Sequence, residues 1–289
     1  MGMKFRNRRP FFRRKNRPGE GEDPSNFPRR KRLQVNKMKK GIVILPSLLT
    51  VTGIFFSFYA MILAIEGRFV LSATLIFISG FFDGIDGKVA RLTKSSTRFG
   101  MELDSLADVI SFGVAPAILV YMWALAPYER IGWVTAFVFV SCGALRLARF
   151  NVQSGTIDPR RFNGLPIPAA AVMLAATVLF FHKLEIKPDD YRASLLVITY
   201  ALAFLMVSSV KFHGFKDLTV IRQKPFSSTV AFVLILALIA ANPFVVPFFL
   251  CLGYVISGPI LTVLLYLRGR NKGPETGREE EPVTQNPSS

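Results

Sequence analysis

The sequence predicts an all-α fold, a polytopic membrane helix bundle of about eight transmembrane helices. Three observations carry that prediction. Half of the 289 residues are hydrophobic, and they fall in long runs rather than in the alternation of half-buried strands. The runs approach the ~20 residues that cross a bilayer. The charged residues collect between the runs and at the two ends of the chain.

Residues Met1–Lys40 are poor in aliphatic side chains and rich in Arg, Lys, Pro and Asn, so a basic, largely disordered tail is expected there. Its clusters Arg13-Arg14-Lys15 and Arg29-Arg30-Lys31-Arg32 supply much of the formal net charge of +17. Because this segment adjoins a membrane domain, anionic lipid headgroups are the expected partner and nucleic acid is not. The membrane domain is expected over residues 41–270. Its spans run from about Ile42 to Ile65, Phe69 to Arg91, Gly100 to Leu125, Ile131 to Ala148, Pro168 to His182, Ala193 to Val210, Thr229 to Ala241 and Val246 to Leu267. The fifth and seventh are short. Residues 271–289 read as a polar, disordered tail. Cys142 and Cys251 both lie in apolar runs and read as free thiols with no disulfide framework.

Basic residues in the loops set the orientation. The N-terminal tail, Lys94, Arg98, Arg160, Arg161, Lys211, Lys216, Arg222, Lys224, Arg268 and Arg270 share one side; Arg68, Arg130, Lys183, Lys187 and Arg192 share the other. The richer side is expected to be cytoplasmic. A prokaryotic cytoplasmic (inner) membrane is the expected location.

One stretch breaks the apolar pattern. Residues 81–108 hold Asp83, Asp86, Asp104 and Asp108 between membrane-like runs. Asp83 and Asp86 are three apart and Asp104 and Asp108 four apart, so each pair shares a helix face. Four carboxylates in one small apolar volume must take up protons or bind cations. Hard oxygen ligands in this number suit Mg²⁺, Mn²⁺ or Ca²⁺, and two metals bridged by phosphate is the natural chemical reading. Gly84, Gly87, Ala90 and Gly100 leave room for a bulky ligand and allow close helix approach. The bland alternative is a set of solvated acids at helix ends.

The run Asp83-Gly84-Ile85-Asp86-Gly87-Lys88-Val89-Ala90-Arg91, then eight residues, then Gly100, Asp104 and Asp108, resembles the signature of the CDP-alcohol phosphatidyltransferases, with every position filled. The resemblance implies a membrane enzyme that moves a phosphatidyl group from CDP-diacylglycerol to an alcohol. It implies Asp83, Asp86, Asp104 and Asp108 as ligands of two divalent ions, Mg²⁺ or Mn²⁺, and Asp108 as general base. It also implies that Arg91 meets a phosphate, that Gly87, Ala90 and Gly100 form the floor under the cytidine, and that Thr97 and Arg98 reach the same nucleotide. Thr50 keeps a threonine of the pattern, whereas Ser47 stands where the family often has Asn. A homodimer is implied as well.

Leu145-Arg146-Leu147-Ala148-Arg149-Phe150-Asn151 and Gly164-Leu165-Pro166-Ile167-Pro168 are similar to the phosphatidylserine synthase branch of that family. That likeness implies L-serine as acceptor, with Arg146 and Arg149 on its carboxylate and Asn151 and Asn163 offering hydrogen bonds. Arginine within a span also serves as a positive-inside residue on lipid phosphate. Glycerol 3-phosphate, inositol and inositol phosphate stand as alternative acceptors. A divalent cation transporter is the alternative from another class, since intramembrane acids mark ion paths too.

Overall fold

The computed structural model describes residues 29–93, 97–153, 161–213 and 225–270. Residues 1–28 and 271–289, and with them most of the two tails assigned above, lie outside that set. So do Lys94, Arg160, Lys216, Arg222 and Lys224. Ile42–Ser289 forms one compact unit, and it contains the bundle.

The helices follow the predicted order: α1 (Arg29–Ile65), α2 (Phe69–Leu92), α3 (Arg98–Asp108), α4 (Ala115–Val120), α5 (Arg130–Gln153), α6 (Ile167–Lys183), α7 (Arg192–Val207), α8 (Pro225–Ala241) and α9 (Val246–Arg270). The third predicted span is a composite. Two π-helical segments, Val109–Val114 and Tyr121–Leu125, flank α4, and the whole runs from Arg98 to Tyr128. Among the described residues, six helical stretches are long and apolar enough to cross a membrane, and the protein is a multi-pass membrane protein. The two helices that fall short, α6 and α8, have 17 residues each and occupy the two places where the sequence has short runs.

Those two helices are short for different reasons. Ten residues of α6, from Ile167 to Leu179, are buried, and it packs chiefly against α2 and α9. It is the central helix, and its alanines (Ala170, Ala171, Ala175 and Ala176, all fully buried) let neighbouring backbones come close. In α8, by contrast, Val233, Leu234, Ile235, Leu236 and Leu238 are all exposed. Such a face suits acyl chains, which are as apolar as leucine.

Polar side chains join α1 to α2. Ser57 donates to the Ser79 hydroxyl (2.7 Å), Ser79 donates to the Gly53 carbonyl (2.9 Å) and Ser72 donates to the Ala60 carbonyl (2.7 Å). The pairings run in opposite chain directions, so the two helices are antiparallel. The end of α2 therefore lies level with Thr50, near the start of the α1 span.

A short antiparallel ladder adds to the all-α bundle: β1 (Arg161–Asn163) pairs with β2 (Lys211–His213), Phe162 opposite Phe212. The chain leaves β1 through Gly164, whose φ of +85° is open to glycine. Its amide donates to the Val210 carbonyl (2.9 Å), and the Leu165 amide donates to the Leu205 carbonyl (2.9 Å). A Cβ at Gly164 collides with the Met206 carbonyl. Gly164→Ala is therefore expected to destabilise the fold by about 1–3 kcal/mol, read as a lower midpoint of thermal unfolding in detergent. Gly84→Ala, at a helical position with nothing within 4 Å of the added Cβ, is expected to leave the midpoint unchanged or raise it.

Candidate active site

The antiparallel course of α1, α2 and α3 brings the four predicted acids together at one end of the bundle. Asp83 and Asp86 come from the last turns of α2, and Asp104 and Asp108 from α3. Asp83, Asp86 and Asp104 each place a carboxylate oxygen within 4.8 Å of the other two. Asp108 joins from the side, its carboxyl within hydrogen-bonding reach of Asp83.

Asp86 is 3% exposed, and both of its carboxylate oxygens are buried without a hydrogen-bond partner. Thr50, the buried side chain beside it, gives its hydroxyl proton to the Pro46 carbonyl instead (3.0 Å). Among the described residues, no Lys or Arg forms an ion pair with any of the four acids; the pair found is Arg192 with Asp189, at 2.5 Å. A buried carboxylate with neither donor nor cation is expensive. An all-oxygen set of closely spaced acids, one of them wholly unsatisfied, fits a hard divalent cation.

Around the acids the backbone is bare. Gly84 is exposed, and a Cβ there meets nothing within 4 Å; Gly87 is half-buried. The Arg91 Nε donates to the Gly87 carbonyl (2.8 Å), which lays the exposed guanidinium along the same face as the glycines. Ala90 is half-buried on the same last turns of α2. Thr97 is the N-cap of α3: its hydroxyl accepts from the Gly100 amide (3.0 Å). A Cβ at Gly100 sits only 3.2 Å from that hydroxyl, so the glycine helps the cap close. Thr97 and Gly100 thus have a structural task in holding α3 next to α2. Arg98 opens α3 and is exposed.

The end of α5 borders the acids. Arg146 lies within electrostatic range of Asp108, and its Nε is buried with no hydrogen-bond partner. Arg149, three residues on, is exposed, so the two arginines differ in setting. The Asn151 amide donates to the Ser105 hydroxyl (3.0 Å), which donates to the Met101 carbonyl (3.0 Å), fastening α5 to α3 between the acid pair. Asn163 lies in β1, opposite Lys211. Its side chain lies outside the described residues.

Three features escaped the sequence reading. The π-helical segment begins directly after Asp108, a place where such turns often mark function. Ser105 holds Asn151. Tyr254, on α9, lies within electrostatic range of Arg146. A tyrosine in mid-span, away from the aromatic belts at the membrane surfaces, is the signal that points to it.

Residues 43–207 match the CDP-alcohol phosphatidyltransferase family. Over 175 residues the chain is 41% identical to the CDP-diacylglycerol–serine O-phosphatidyltransferase of Helicobacter pylori (strain ATCC 700392 / 26695), which covers 61% of this chain and 74% of the relative. It is 36% identical over 199 residues to the protein of the same name from Methanocaldococcus jannaschii, covering 68% of this chain and 85% of the relative. It is 37% identical over 181 residues to the archaetidylserine synthase of Methanothermobacter thermautotrophicus, covering 61% and 72%. With its four acids converging from α2 and α3 inside the matched segment, the chain belongs to the CDP-alcohol phosphatidyltransferase family.

Proposed function

We propose that the protein transfers the phosphatidyl group of CDP-diacylglycerol to L-serine, giving phosphatidylserine and CMP. The observation that carries the reading is the cluster of Asp83, Asp86, Asp104 and Asp108, with no ion-paired cation among the described residues, in a chain whose relatives bear serine in their names. The lipid in those names varies between phosphatidyl and archaetidyl, and the alcohol does not. This favours serine over glycerol 3-phosphate, inositol and inositol phosphate. The acids gather at one end of the bundle, which favours a surface reaction centre over the ion path of a transporter.

Asp83, Asp86 and Asp104, with Asp108 as a fourth donor, would hold two divalent ions, Mg²⁺ or Mn²⁺, which supply charge neutralisation to the pyrophosphate of the donor. Arg91 is placed to pair with a phosphate oxygen, for which a guanidinium is well matched. Gly84, Gly87, Ala90 and Gly100 leave the backbone accessible to the cytidine, with Thr50, Thr97 and Arg98 around it. Asp108 takes the proton from the serine hydroxyl as the oxygen bonds to the phosphorus bearing the diacylglycerol. The bond from that phosphorus to the CMP oxygen breaks, and CMP leaves. Arg146 and Arg149 orient the acceptor through its carboxylate, with Asn151 and Asn163 as further hydrogen-bonding groups. Water must be kept from the phosphorus during the transfer, since hydrolysis would divert the donor to phosphatidate.

The reaction is assigned to the cytoplasmic face of a cytoplasmic membrane, where the basic loops lie and where a cytidine-activated lipid is made. The basic N-terminal tail is assigned to anionic lipid, and the functional unit to a homodimer.

Two measurements test this reading. CMP release by purified protein in detergent, with CDP-diacylglycerol and Mg²⁺ or Mn²⁺, is expected to depend on serine and not on the other three alcohols. It should fall by about 10²–10⁴-fold in Asp108→Asn. Release with inositol or glycerol 3-phosphate instead would keep the acid site and remove serine. Chelation with EDTA is expected to abolish release reversibly, and Asp86→Asn to raise the metal concentration for half-maximal activity by about 10–100-fold.

A further inference from the structure

A cavity of about 460 Å³ lies at the end of the bundle opposite the acids. Phe69, in its lining, opens α2, and Asp83 stands fourteen residues further on, so about 20 Å of helix separates the cavity from the acid cluster. Val178, 1% exposed, forms the floor. Val70, Trp123 and Phe181 are half-buried walls, the indole set edge-on to the Phe181 ring with centroids 5.3 Å apart. Arg68 and His182 are exposed at the mouth. Among the described residues no carboxylate lines the cavity, and neither Arg68 nor His182 forms an ion pair.

Two helix ends frame that mouth. α1 closes in a Schellman motif whose left-handed residue is Gly67, at φ +78°. The Gly67 amide donates to the Ala64 carbonyl (3.1 Å) and the Arg68 amide to the Leu63 carbonyl (2.8 Å). The Arg68 carbonyl then accepts from the Ser72 amide (3.0 Å) as α2 begins. α6 closes the same way around Glu185, at φ +56°. The Glu185 amide donates to the His182 carbonyl (3.2 Å) and the Ile186 amide to the Phe181 carbonyl (2.9 Å). The residue after the left-handed position is frequently apolar, because it packs back on the last turn. Ile186 follows that pattern. Arg68 holds the equivalent place after α1 and departs from it, so a turn bonded on both sides presents an arginine at the edge of an apolar cavity.

We propose that this cavity binds an anionic phospholipid of the leaflet opposite the acid cluster, with an acyl chain on the apolar walls and the phosphate on Arg68 and His182. An apolar interior with a few polar groups at one edge is the pattern of a ligand site of this size. A guanidinium matches phosphate oxygens with a fork of donors, and an imidazole offers an N–H in either protonation state. A water-soluble anion would meet the arginine and leave the Trp123 and Val178 lining unfilled; a lipid meets both. A choline headgroup brings its own cation to the mouth and is the poorer match. The site shares no residue with the acid cluster, so it stands apart from the choice of acceptor alcohol.

Trp123 reports on the cavity directly. The chain has two tryptophans, and Trp133→Phe leaves Trp123 alone. The full chain with that substitution is titrated in detergent with phosphatidylglycerol carrying brominated acyl chains, which quench indole fluorescence on contact. Saturable quenching is expected, at about tenfold lower lipid concentration than with brominated phosphatidylcholine. Arg68→Gln is expected to erase that preference by weakening phosphatidylglycerol alone, with the thermal midpoint in lipid-free detergent unchanged. Val70→Phe, which adds bulk at the wall and keeps the arginine, is expected to weaken both lipids. Equal quenching by the two lipids in the parent, or a preference that survives Arg68→Gln, overturns the proposal. Displacement of the brominated lipid by millimolar inorganic phosphate would make the site one for a free anion, and overturns the lipid reading as well.

Discussion

Four carboxylates meet at the junction of α2 and α3, and the described part of the protein provides no ion-paired cation to balance them. That imbalance is the constraint on which the rest of the arrangement depends. Coulomb repulsion between unit charges a few ångströms apart is worth several kcal/mol even at an effective dielectric of ~20. A fold that gathers such groups must hold their backbones firmly, because their side chains push apart when the compensating charge is absent. It must also leave the cluster reachable from the aqueous phase if protons or cations from outside the chain are to balance it.

Both requirements are visible in the scaffold. The serine contacts between α1 and α2 and the Thr97 cap on α3 fix the two acid-bearing helices from opposite directions. The central helix α6 backs α2 along its length with alanines, which keep the interhelical distance short. The open face is made by omission: Gly84 has no neighbour within 4 Å of its missing Cβ, and Arg91 lies flat against the Gly87 carbonyl. The π-helical segment after Asp108 also fits this picture. Each such turn inserts an extra residue per turn and so resets the direction of the helix below the acids without moving Asp104 or Asp108 off their common face.

Much of this was legible in the sequence. Hydrophobic runs of bilayer length and acids at i,i+3 and i,i+4 spacing are local signals, and both depend on helical geometry that the membrane enforces, because a lipid-exposed backbone must satisfy its own hydrogen bonds. The helices consequently fall in the expected places, and Asp83, Asp86, Asp104 and Asp108 meet as expected. What was not legible depends on contacts between distant segments. Residues 161–163 and 211–213 carry no strand pattern of their own; they pair because α5, α6 and α7 bring them side by side. The capping of α3 by the Thr97 hydroxyl, a use that any Thr before a helix start allows, is a structural task that the motif does not spell out. Arg146 and Arg149 read as a pair on one face; packing buries the Nε of one and leaves the other exposed, since three residues along a helix still differ by about 60° in direction.

The last helix shows why spacing alone leaves the surroundings of such a cluster hidden. A metal-binding carboxylate cluster needs several like residues close together, and neighbouring turns of two consecutive helices can supply them. The groups around that cluster come from different directions and from elements separated by a hundred residues: Arg146 of α5 lies within electrostatic range of Asp108, and Tyr254 of α9 within range of Arg146. Their juxtaposition is set by Phe212 against Gly258, a contact between an aromatic ring and a missing side chain. The acids of the family motif can therefore sit in one compact stretch, while the groups around them come from helices that only the three-dimensional packing brings together.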